Sequence, residues 1–269
     1  MMFLPGVVLA ASALWQAVQP GIWLYEAPMS SQGALAPVEV IAVRLDPQLV
    51  EFALDTSARG QARGAWTIDR LPPTGVLAVN AGQFAGDTPW GWLVLEGMET
   101  QPPGAGSTAM AFVVSQDGAV ALLDPGEIPA ARRIARYAFQ SYPALILGGG
   151  RVPWELQAPG RGVDLAHRDS RLALGVLPDH TVVVAITRFS GLGAAGATLP
   201  WGPTVVEMAD FMRSLGCVRA VLLDGGISSQ LALRTTDGSL RRWTNWRTVP
   251  LGLIVRPRVR PPSAPVPAR

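Results

Sequence analysis

An acidic residue followed by two glycines and two serines is the segment of this chain whose residue types best suit chemistry. The segment Asp224–Ser229 reads Asp-Gly-Gly-Ile-Ser-Ser and follows the apolar run Ala220–Leu223. Such a run before turn-forming residues predicts a buried strand that ends near the aspartate. Gly225 and Gly226 have no Cβ, so a ligand can approach the backbone closely, and the serines offer hydroxyls to a phosphate or a sugar. The alternative is a tight turn capped by the aspartate.

A second polar cluster follows the apolar run Val76–Val79. The segment Asn80–Phe84 reads Asn-Ala-Gly-Gln-Phe, and Asp87 comes three residues later. The Asn80 amide can bond to a sugar hydroxyl or a phosphate oxygen, and Asp87 adds a carboxylate. An ordinary Asn-Ala-Gly turn is the alternative.

Two further clusters contain Gln140, Ser141 and Arg171. The first reads Gln-Ser-Tyr-Pro, and its alternative interpretation is a loop before a strand. Arg171 opens the apolar segment Leu172–Gly175. An unpaired charge is costly in a buried strand, so Arg171 must pair with a carboxylate or bind an anion. Its planar guanidinium suits two parallel hydrogen bonds to a phosphate.

Arg247, His167 and several tryptophans are further candidates for ligand contacts. Arg247 could be a second anion ligand. His167 could act as a general acid, or it could be a simple loop residue. Aromatic rings can stack on sugar faces, although packing in the core or at its rim is the alternative. The tryptophans concerned are Trp90, Trp92, Trp243 and Trp246.

The composition excludes several classes of site. All 22 basic residues are arginine, which excludes a Schiff-base lysine and a P-loop lysine, and the net charge of +2 favours no nucleic-acid partner. The single cysteine excludes disulfides and cysteine-rich metal sites, and with only two histidines a zinc site is not expected. The sequence requires no cofactor, and Mg²⁺ or Ca²⁺ held by carboxylates stays open.

Short apolar runs separated by Gly, Pro and Asp predict a strand-rich protein. The predicted strands are Val38–Leu45, Gln48–Leu54, Val76–Val79, Trp92–Leu95, Met110–Val114, Val120–Leu123, Leu172–Val176, Thr181–Thr187, Ala220–Leu223, Leu231–Leu233 and Val249–Val255. Two helices are predicted, Ile128–Tyr137 and Val205–Leu215, the second from a Thr-x-x-Glu capping box and a following Gly216. Because strands outnumber helices without regular alternation, we expect an α+β fold, a single β-rich domain of mixed sheet with a few packed helices.

The two ends of the chain differ in composition from the region between them. Residues 1–14 are apolar and have the length of a signal-peptide core, which predicts export or a place in the cell envelope; a cytoplasmic protein is the alternative. Residues 15–255 are expected to form the domain, and the Pro- and Arg-rich residues 256–269 a disordered tail. No apolar run reaches the ~18 residues of a membrane span.

Taken together and in order, the four clusters resemble the motifs of the phosphodiester glycosidase family. Members have an Asn-Gly-Gly-aromatic turn, a Gln-Ser-Gly-Pro segment, an Arg-x-Ala-x-Gly strand and an Asp-Gly-Gly-Gly-Ser-Ser signature. The matching segments here are Asn80–Phe84, Gln140–Pro143, Arg171–Gly175 and Asp224–Ser229. The helix before the last motif also fits the pattern, so the resemblance covers nearly the whole chain.

The resemblance implies hydrolysis of a sugar 1-phosphodiester at the anomeric carbon, which releases a free sugar and a phosphomonoester. This reaction needs a carboxylate beside an oxocarbenium-like transition state and cations at the leaving phosphate. Asp224 is implied as the essential carboxylate and Asp87 as the second, with Glu96 and Asp169 as further candidates. The implied substrate-binding residues are Asn80, Gln140, Ser141, Arg171, Gly225, Gly226, Ser228, Ser229 and Arg247.

Three glycines of the family pattern are replaced here, by Ala81, Tyr142 and Ile227. A side chain at each place narrows the room near a ligand, so the sugar specificity can differ from that of the family. Two alternative functions stay open. One is a non-catalytic envelope protein that binds anionic glycans, and the other is a phosphodiesterase that breaks the P–O bond.

Overall fold

The computed structural model describes residues 15–31, 37–56, 65–189, 201–244 and 246–258. The predicted leader, residues 1–14, and the predicted tail beyond residue 258 lie outside these ranges. Arg256 and Pro257, which were assigned to the tail, instead complete the last strand of the domain. None of the helices in the described part of the chain is long and apolar enough to cross a membrane.

Three antiparallel sheets make up most of the described chain. In spatial order, the seven-stranded sheet contains β1 (Gln16–Gln19), β2 (Ile22–Met29), β3 (Val38–Leu45), β15 (Val182–Phe189), β14 (Leu172–Val176), β16 (Arg219–Leu223) and β13 (Ala144–Ile146). The second sheet contains β11 (Val120–Leu123), β10 (Met110–Ser115), β12 (Ala135–Ser141), β8 (Leu93–Leu95) and β9 (Met98–Gln101). The third contains β18 (Leu240–Trp243), β17 (Leu231–Arg234), β5 (Leu77–Asn80), β19 (Leu251–Pro257) and β4 (Val50–Thr56). A small hairpin pairs β6 (Phe84–Ala85) with β7 (Thr88–Pro89).

The main hydrophobic core lies among the three sheets. It takes residues such as Leu174 from the first sheet, Phe139 from the second and Leu253 from the third, all of them buried. The other face of the seven-stranded sheet packs against helix α2 (Val205–Ser214) through Met208 and Met212. Because β14 and β15 are covered on both faces, they consist almost entirely of apolar residues, as predicted for central strands.

Helix α2 begins where its capping box predicts. The Thr204 hydroxyl accepts a hydrogen bond from the Glu207 amide at 3.2 Å, and the Glu207 carboxylate accepts one from the Thr204 amide at 2.8 Å. The predicted strands are also present, most of them shifted by one or two residues at an end. The expected β-rich architecture with few helices is therefore confirmed.

Two expectations about the fold are wrong. The predicted helix Ile128–Tyr137 is a short helix α1 (Ile128–Ala131) followed by strand β12. Buried Tyr137 and Phe139 alternate with Ala138 across β12, so this segment has the period of a strand, and its pairing with β10 and β8 outweighs local helix propensity. The sheet was expected to be mixed, whereas each pairing between the described strands is antiparallel.

Candidate active site

The candidate active site lies where the three sheets meet at one end. Asn80 ends β5 in the third sheet, Ser141 ends β12 in the second, and Asp224 follows β16 in the first. The Asn80 side-chain amide donates to the Asp224 carbonyl at 2.8 Å, and the Ser141 hydroxyl donates to the carbonyl of Leu222. These hydrogen bonds join the three sheets directly beneath Asp224.

The Asp224 carboxyl has an unusual environment. Its Oδ2 atom is buried and has no hydrogen-bond partner among the described residues. Burial raises the pKa of Asp224, and the nearby charge of Asp169 raises it further, whereas Ser228 and Arg247 act in the opposite direction. A buried carboxyl with an unbonded oxygen and a raised pKa is typical of a functional site rather than of a turn cap.

Asp169 is the carboxyl that acts electrostatically on Asp224. Its Oδ1 accepts the amide of Ser170 at 2.8 Å, and its Oδ2 lies 3.5 Å from Nε2 of His167. Burial raises the pKa of Asp169 as well, although the charge of Arg171 lowers it. Burial favours the protonated form of both carboxyls, so this region suits a carboxyl that can hold a proton as well as release one.

Gly225 and Gly226 allow Asp169 and Ser170 to lie against the Asp224 turn. The Gly226 amide donates to the Ser170 carbonyl at 2.7 Å. A Cβ on Gly225 would lie 2.5 Å from that carbonyl oxygen, and a Cβ on Gly226 would lie 2.7 Å from Oδ2 of Asp169. Gly226 also has a φ of +56°. The sequence predicted that a ligand approaches the backbone closely at these glycines. In the structure, Ser170 and Asp169 of the protein itself occupy that space.

Asn80 is buried and bonded to the main chain at both ends of its amide. Nδ2 donates to the Asp224 carbonyl, and Oδ1 accepts the Gln230 amide at 2.9 Å. Direct binding of a substrate would have to compete with these two bonds. In this structure Asn80 fixes the position of Asp224.

Gln140 and Ser141 are also buried within the protein. Gln140 Oε1 accepts the amides of Trp92 at 2.9 Å and Gly104 at 2.7 Å, and Nε2 donates to the carbonyls of Gly104 and Ala109. The carboxamide therefore uses its full hydrogen-bonding capacity and has no group left for a substrate. The contact predicted from sequence is replaced by a structural role, which ties residues 104–109 to β12.

Gln140→Leu is expected to lower the free energy of unfolding by about 2–4 kcal/mol, because it leaves buried amides and carbonyls without partners. Chemical denaturation of the variant and the wild type measures the difference. Gln157→Leu, at an exposed glutamine with a single bond to the Val152 carbonyl, is the matched control. Equal stability of Gln140→Leu and the wild type would contradict the assigned role.

Ser228 and Ser229 are buried but differ in their surroundings. The Ser228 hydroxyl acts on the Asp224 carboxyl. The Ser229 hydroxyl donates to the Gly226 carbonyl at 2.9 Å and lies 3.0 Å from the hydroxyl of Ser170. Ser228 therefore lies near the Asp224 carboxyl, while Ser229 stabilises the turn.

Two arginines act electrostatically on the two aspartates, Arg171 on Asp169 and Arg247 on Asp224. Arg171 donates to the carbonyls of Pro203 and His167, and its charge acts on Asp169. Among the described residues no carboxylate lies within 4 Å of Arg171, so the carboxylate pair weighed from sequence is not formed, and anion binding stays a prediction. Arg247 is exposed, and its guanidinium lies over the Phe84 ring at 4.9 Å.

Arg188 is a buried cation that the sequence analysis missed. It lies in β15, is 3% exposed and donates to the Ser229 carbonyl at 3.0 Å. Burial lowers the pKa of Arg188 to about 10. The available signal was a charge inside the apolar run of β15, the same signal that identified Arg171.

The other candidates lie in varied surroundings. Asp87 is exposed in the turn between β6 and β7, and Glu96 is exposed in the turn between β8 and β9. Trp92 is fully buried and donates from Nε1 to Glu99 at 3.0 Å, so it belongs to the core. Trp90 packs edge-on against Tyr142, with ring centroids 4.6 Å apart. In the described part of the chain, no group of three or more His, Cys, Asp or Glu side chains could hold a metal ion.

These features define a protein of three antiparallel sheets with two partly buried aspartates, Asp169 and Asp224, at one end. A family model described as phosphodiester glycosidase matches residues 74–256, which is more than half of the chain. The chain therefore belongs to the phosphodiester glycosidase family.

Solved structures show the same fold at low sequence identity. The catalytic domain of zebrafish N-acetylglucosamine-1-phosphodiester alpha-N-acetylglucosaminidase, auto-inhibited by its pro-peptide, is similar with a TM-score of 0.65 and 17% identity, over 91% of this chain and 88% of that one. A hypothetical protein from Synechocystis is similar with a TM-score of 0.59 and 16% identity, over 89% of this chain and 63% of that one. A comparison with curated proteins found no match. These similarities establish the fold.

Proposed function

We propose that this protein hydrolyses the glycosidic bond of a sugar 1-phosphodiester. The observation that carries the proposal is the Asp224 carboxyl, which has a buried, unbonded oxygen and a second carboxyl beside it. Membership of the phosphodiester glycosidase family supports the same reaction class.

In the proposed reaction, the bond between the anomeric carbon and the bridging oxygen breaks. The phosphomonoester leaves with that oxygen, and the oxygen of water bonds to the anomeric carbon. Phosphate is a good leaving group, so the main demand is to stabilise positive charge at the anomeric carbon and to deprotonate water. The Asp169–Asp224 pair can supply a carboxylate for these tasks and hold a proton for the leaving oxygen.

The arginines have a separate role in this proposal. Arg247 carries an exposed positive charge close enough to lower the pKa of Asp224. Such a cation stabilises the leaving phosphomonoester, which carries more negative charge than the phosphodiester substrate. Arg171 adds positive charge next to Asp169, while its bonds to the carbonyls of Pro203 and His167 hold its guanidinium in place.

Hydrolysis in ¹⁸O-labelled water tests the reaction class. The substrates are UDP-N-acetylglucosamine and a panel of sugar 1-phosphodiesters, each assayed with and without EDTA. Cleavage at the anomeric carbon places ¹⁸O in the released sugar. Label in the phosphate instead would identify a phosphodiesterase that breaks the P–O bond, and binding without turnover would identify a glycan-binding protein.

Asp169→Asn is expected to lower kcat by about 10²-fold or more, because it removes one member of the acidic pair. Asp87→Asn is expected to change kcat little, since Asp87 is exposed in a hairpin turn. Steady-state kinetics of the two variants on the same substrate separate the two candidate second carboxyls. A large loss in Asp87→Asn with normal activity in Asp169→Asn would restore Asp87 to that role.

A further inference from the structure

Several large apolar side chains are exposed near the candidate site. Tyr142 is 42% exposed, Ile227 39% and Trp246 65%. Exposed apolar side chains that cluster beside a site commonly mark a binding surface, whereas scattered ones do not. These residues therefore indicate a binding surface only if they lie together.

Main-chain hydrogen bonds and one cation–π contact bring together the segments that carry these residues. The Arg247 amide donates to the Ile227 carbonyl at 3.0 Å, which brings the neighbouring Trp246 close to the turn. The Arg247 guanidinium covers the Phe84 ring at 4.9 Å. We call Phe84, Trp90, Tyr142, Ile227 and Trp246 the apolar rim.

Hydrogen bonds of Gln83 link the segments that carry Phe84, Trp90 and Tyr142. Gln83, next to Phe84, donates from Nε2 to the Tyr142 carbonyl at 3.1 Å, and its own carbonyl accepts the Trp90 amide at 2.8 Å. The Asp224 amide donates to the carbonyl of Gly82, one residue before Gln83. The apolar rim is thus attached to the acidic site at both Ile227 and Gly82.

Two members of the rim replace glycines of the family pattern. Neither Tyr142 nor Ile227 has a positive φ, so the backbone here does not require glycine at these places. Both side chains point apolar groups toward solvent instead of filling the core. A ligand that covers these side chains would remove their apolar surface from water.

Building on the proposed function, we infer that the phosphodiester carries an alkyl chain on the side of the phosphate opposite the sugar, and that this chain lies on the apolar rim. Arg247 bonds to Ile227 and covers Phe84, two members of the rim, and its charge acts on Asp224. The rim therefore begins where the phosphate is expected. Burial of methylene groups there is favourable in proportion to the area removed from water.

The shape of the rim favours an alkyl chain over a second sugar or an aromatic base. Stacking needs free ring faces. The Arg247 guanidinium lies over the Phe84 ring, and Trp90 and Tyr142 pack edge-on against each other at 72°, so Trp246, at 65% exposed, is the most open ring of the rim. Ile227 has no ring at all. A flexible alkyl chain can follow such a surface without a flat stacking partner.

Binding of alkyl phosphates tests the inference without any need for turnover. Calorimetry with methyl, hexyl and phenyl phosphate and with glucose 6-phosphate is done on the wild type, Tyr142→Gly, Ile227→Gly and Ile227→Ser. We expect hexyl phosphate to bind the wild type about 10–100-fold more tightly than methyl phosphate. Each variant should reduce this ratio severalfold and leave the affinity for methyl phosphate unchanged.

Met98→Ala is the matched control, since Met98 is 67% exposed on β9 and is not part of the rim. Thermal unfolding of every variant shows that it is folded, and the two Ile227 variants give independent readings if Tyr142→Gly is unstable. Equal affinity of the wild type for methyl and hexyl phosphate would overturn the inference. So would tighter binding of phenyl phosphate or glucose 6-phosphate than of hexyl phosphate.

The inference and the proposed function can fail separately. Hydrolysis of sugar 1-phosphodiesters at rates independent of alkyl chain length would retain the function and overturn the inference. Strong, rim-dependent binding of hexyl phosphate without hydrolysis of any sugar 1-phosphodiester would support the alkyl site and reject the glycosidase.

Discussion

Asp224→Asn is expected to lower kcat for sugar 1-phosphodiesters by about 10²–10⁴-fold, the range typical of a removed acid–base carboxyl. The substitution keeps the size of the side chain and removes its charge. The main-chain amide and carbonyl of Asp224, which bond to Gly82 and Asn80, are unaffected. Steady-state kinetics of the purified variant measure the loss.

The same variant is expected to be more stable than the wild type at neutral pH. The pKa of Asp224 is raised in the folded state, so folding favours the protonated carboxyl. The stability it contributes is complete below the ordinary carboxyl pKa and is lost as the pH rises through the raised value. Asparagine does not titrate, so the variant does not lose this stability as the pH rises. Its stability relative to the wild type should therefore be greatest at neutral pH, and the difference should disappear on acidification.

Thermal unfolding of both proteins between pH 3 and pH 8 measures this difference. A gain of roughly 2–4 °C in Tm at neutral pH corresponds to about 1 kcal/mol in a domain of this size. Asp210→Asn, at an exposed aspartate of α2, serves as the control. An Asp224→Asn protein that is fully active, or that is less stable than the wild type at every pH, would reject the assigned role.

Gly225→Ala is expected to destabilise the protein by about 1–3 kcal/mol, the usual cost of overpacking. A Cβ at this position would lie 2.5 Å from the Ser170 carbonyl oxygen, which also accepts the Gly226 amide. The clash pushes Ser170 and the adjacent Asp169 away from Asp224. We therefore expect a loss of activity larger than the loss of stability explains.

Gly126→Ala is the matched control, because a Cβ there meets no atom within 4 Å and the residue has no positive φ. Chemical denaturation gives the two free energies of unfolding, and kinetics below the unfolding transition give the activities. Similar stability and activity in the two variants would show that Asp169 does not need to lie against the Asp224 turn.

The strand content of the fold could be predicted because buried strands leave a local pattern. β14 and the strand before Asp224 are short apolar runs, and residues on both sides of them favour turns. The capping box at Thr204 likewise acts within one turn of helix and was recognised correctly. β12 was missed because the period of an alanine- and arginine-rich segment is ambiguous until its partners β10 and β8 are in place.

The residues that lie around Asp224 were harder to predict from the sequence than Asp224 itself. Asp224 was identified from its neighbours along the chain, but the choice among Asp87, Glu96 and Asp169 depends on which strand ends meet. Antiparallel pairing of Leu172 with Leu223 brings the start of β14 beside the end of β16. That pairing is a long-range contact, and no local pattern records it.

By itself, the sequence determined the apolar strands, the helix before Asp224 and the set of polar residues at strand ends, because each depends on neighbours in the chain. Only the tertiary structure decided what those polar residues do. Gln140 and Asn80 look like ligands in the sequence, yet their amides are used by the main chain of other strands. Hydrogen-bond partners and burial depend on three-dimensional packing, and these properties separate the proposed reacting carboxyl, Asp224, from a residue that holds it in place.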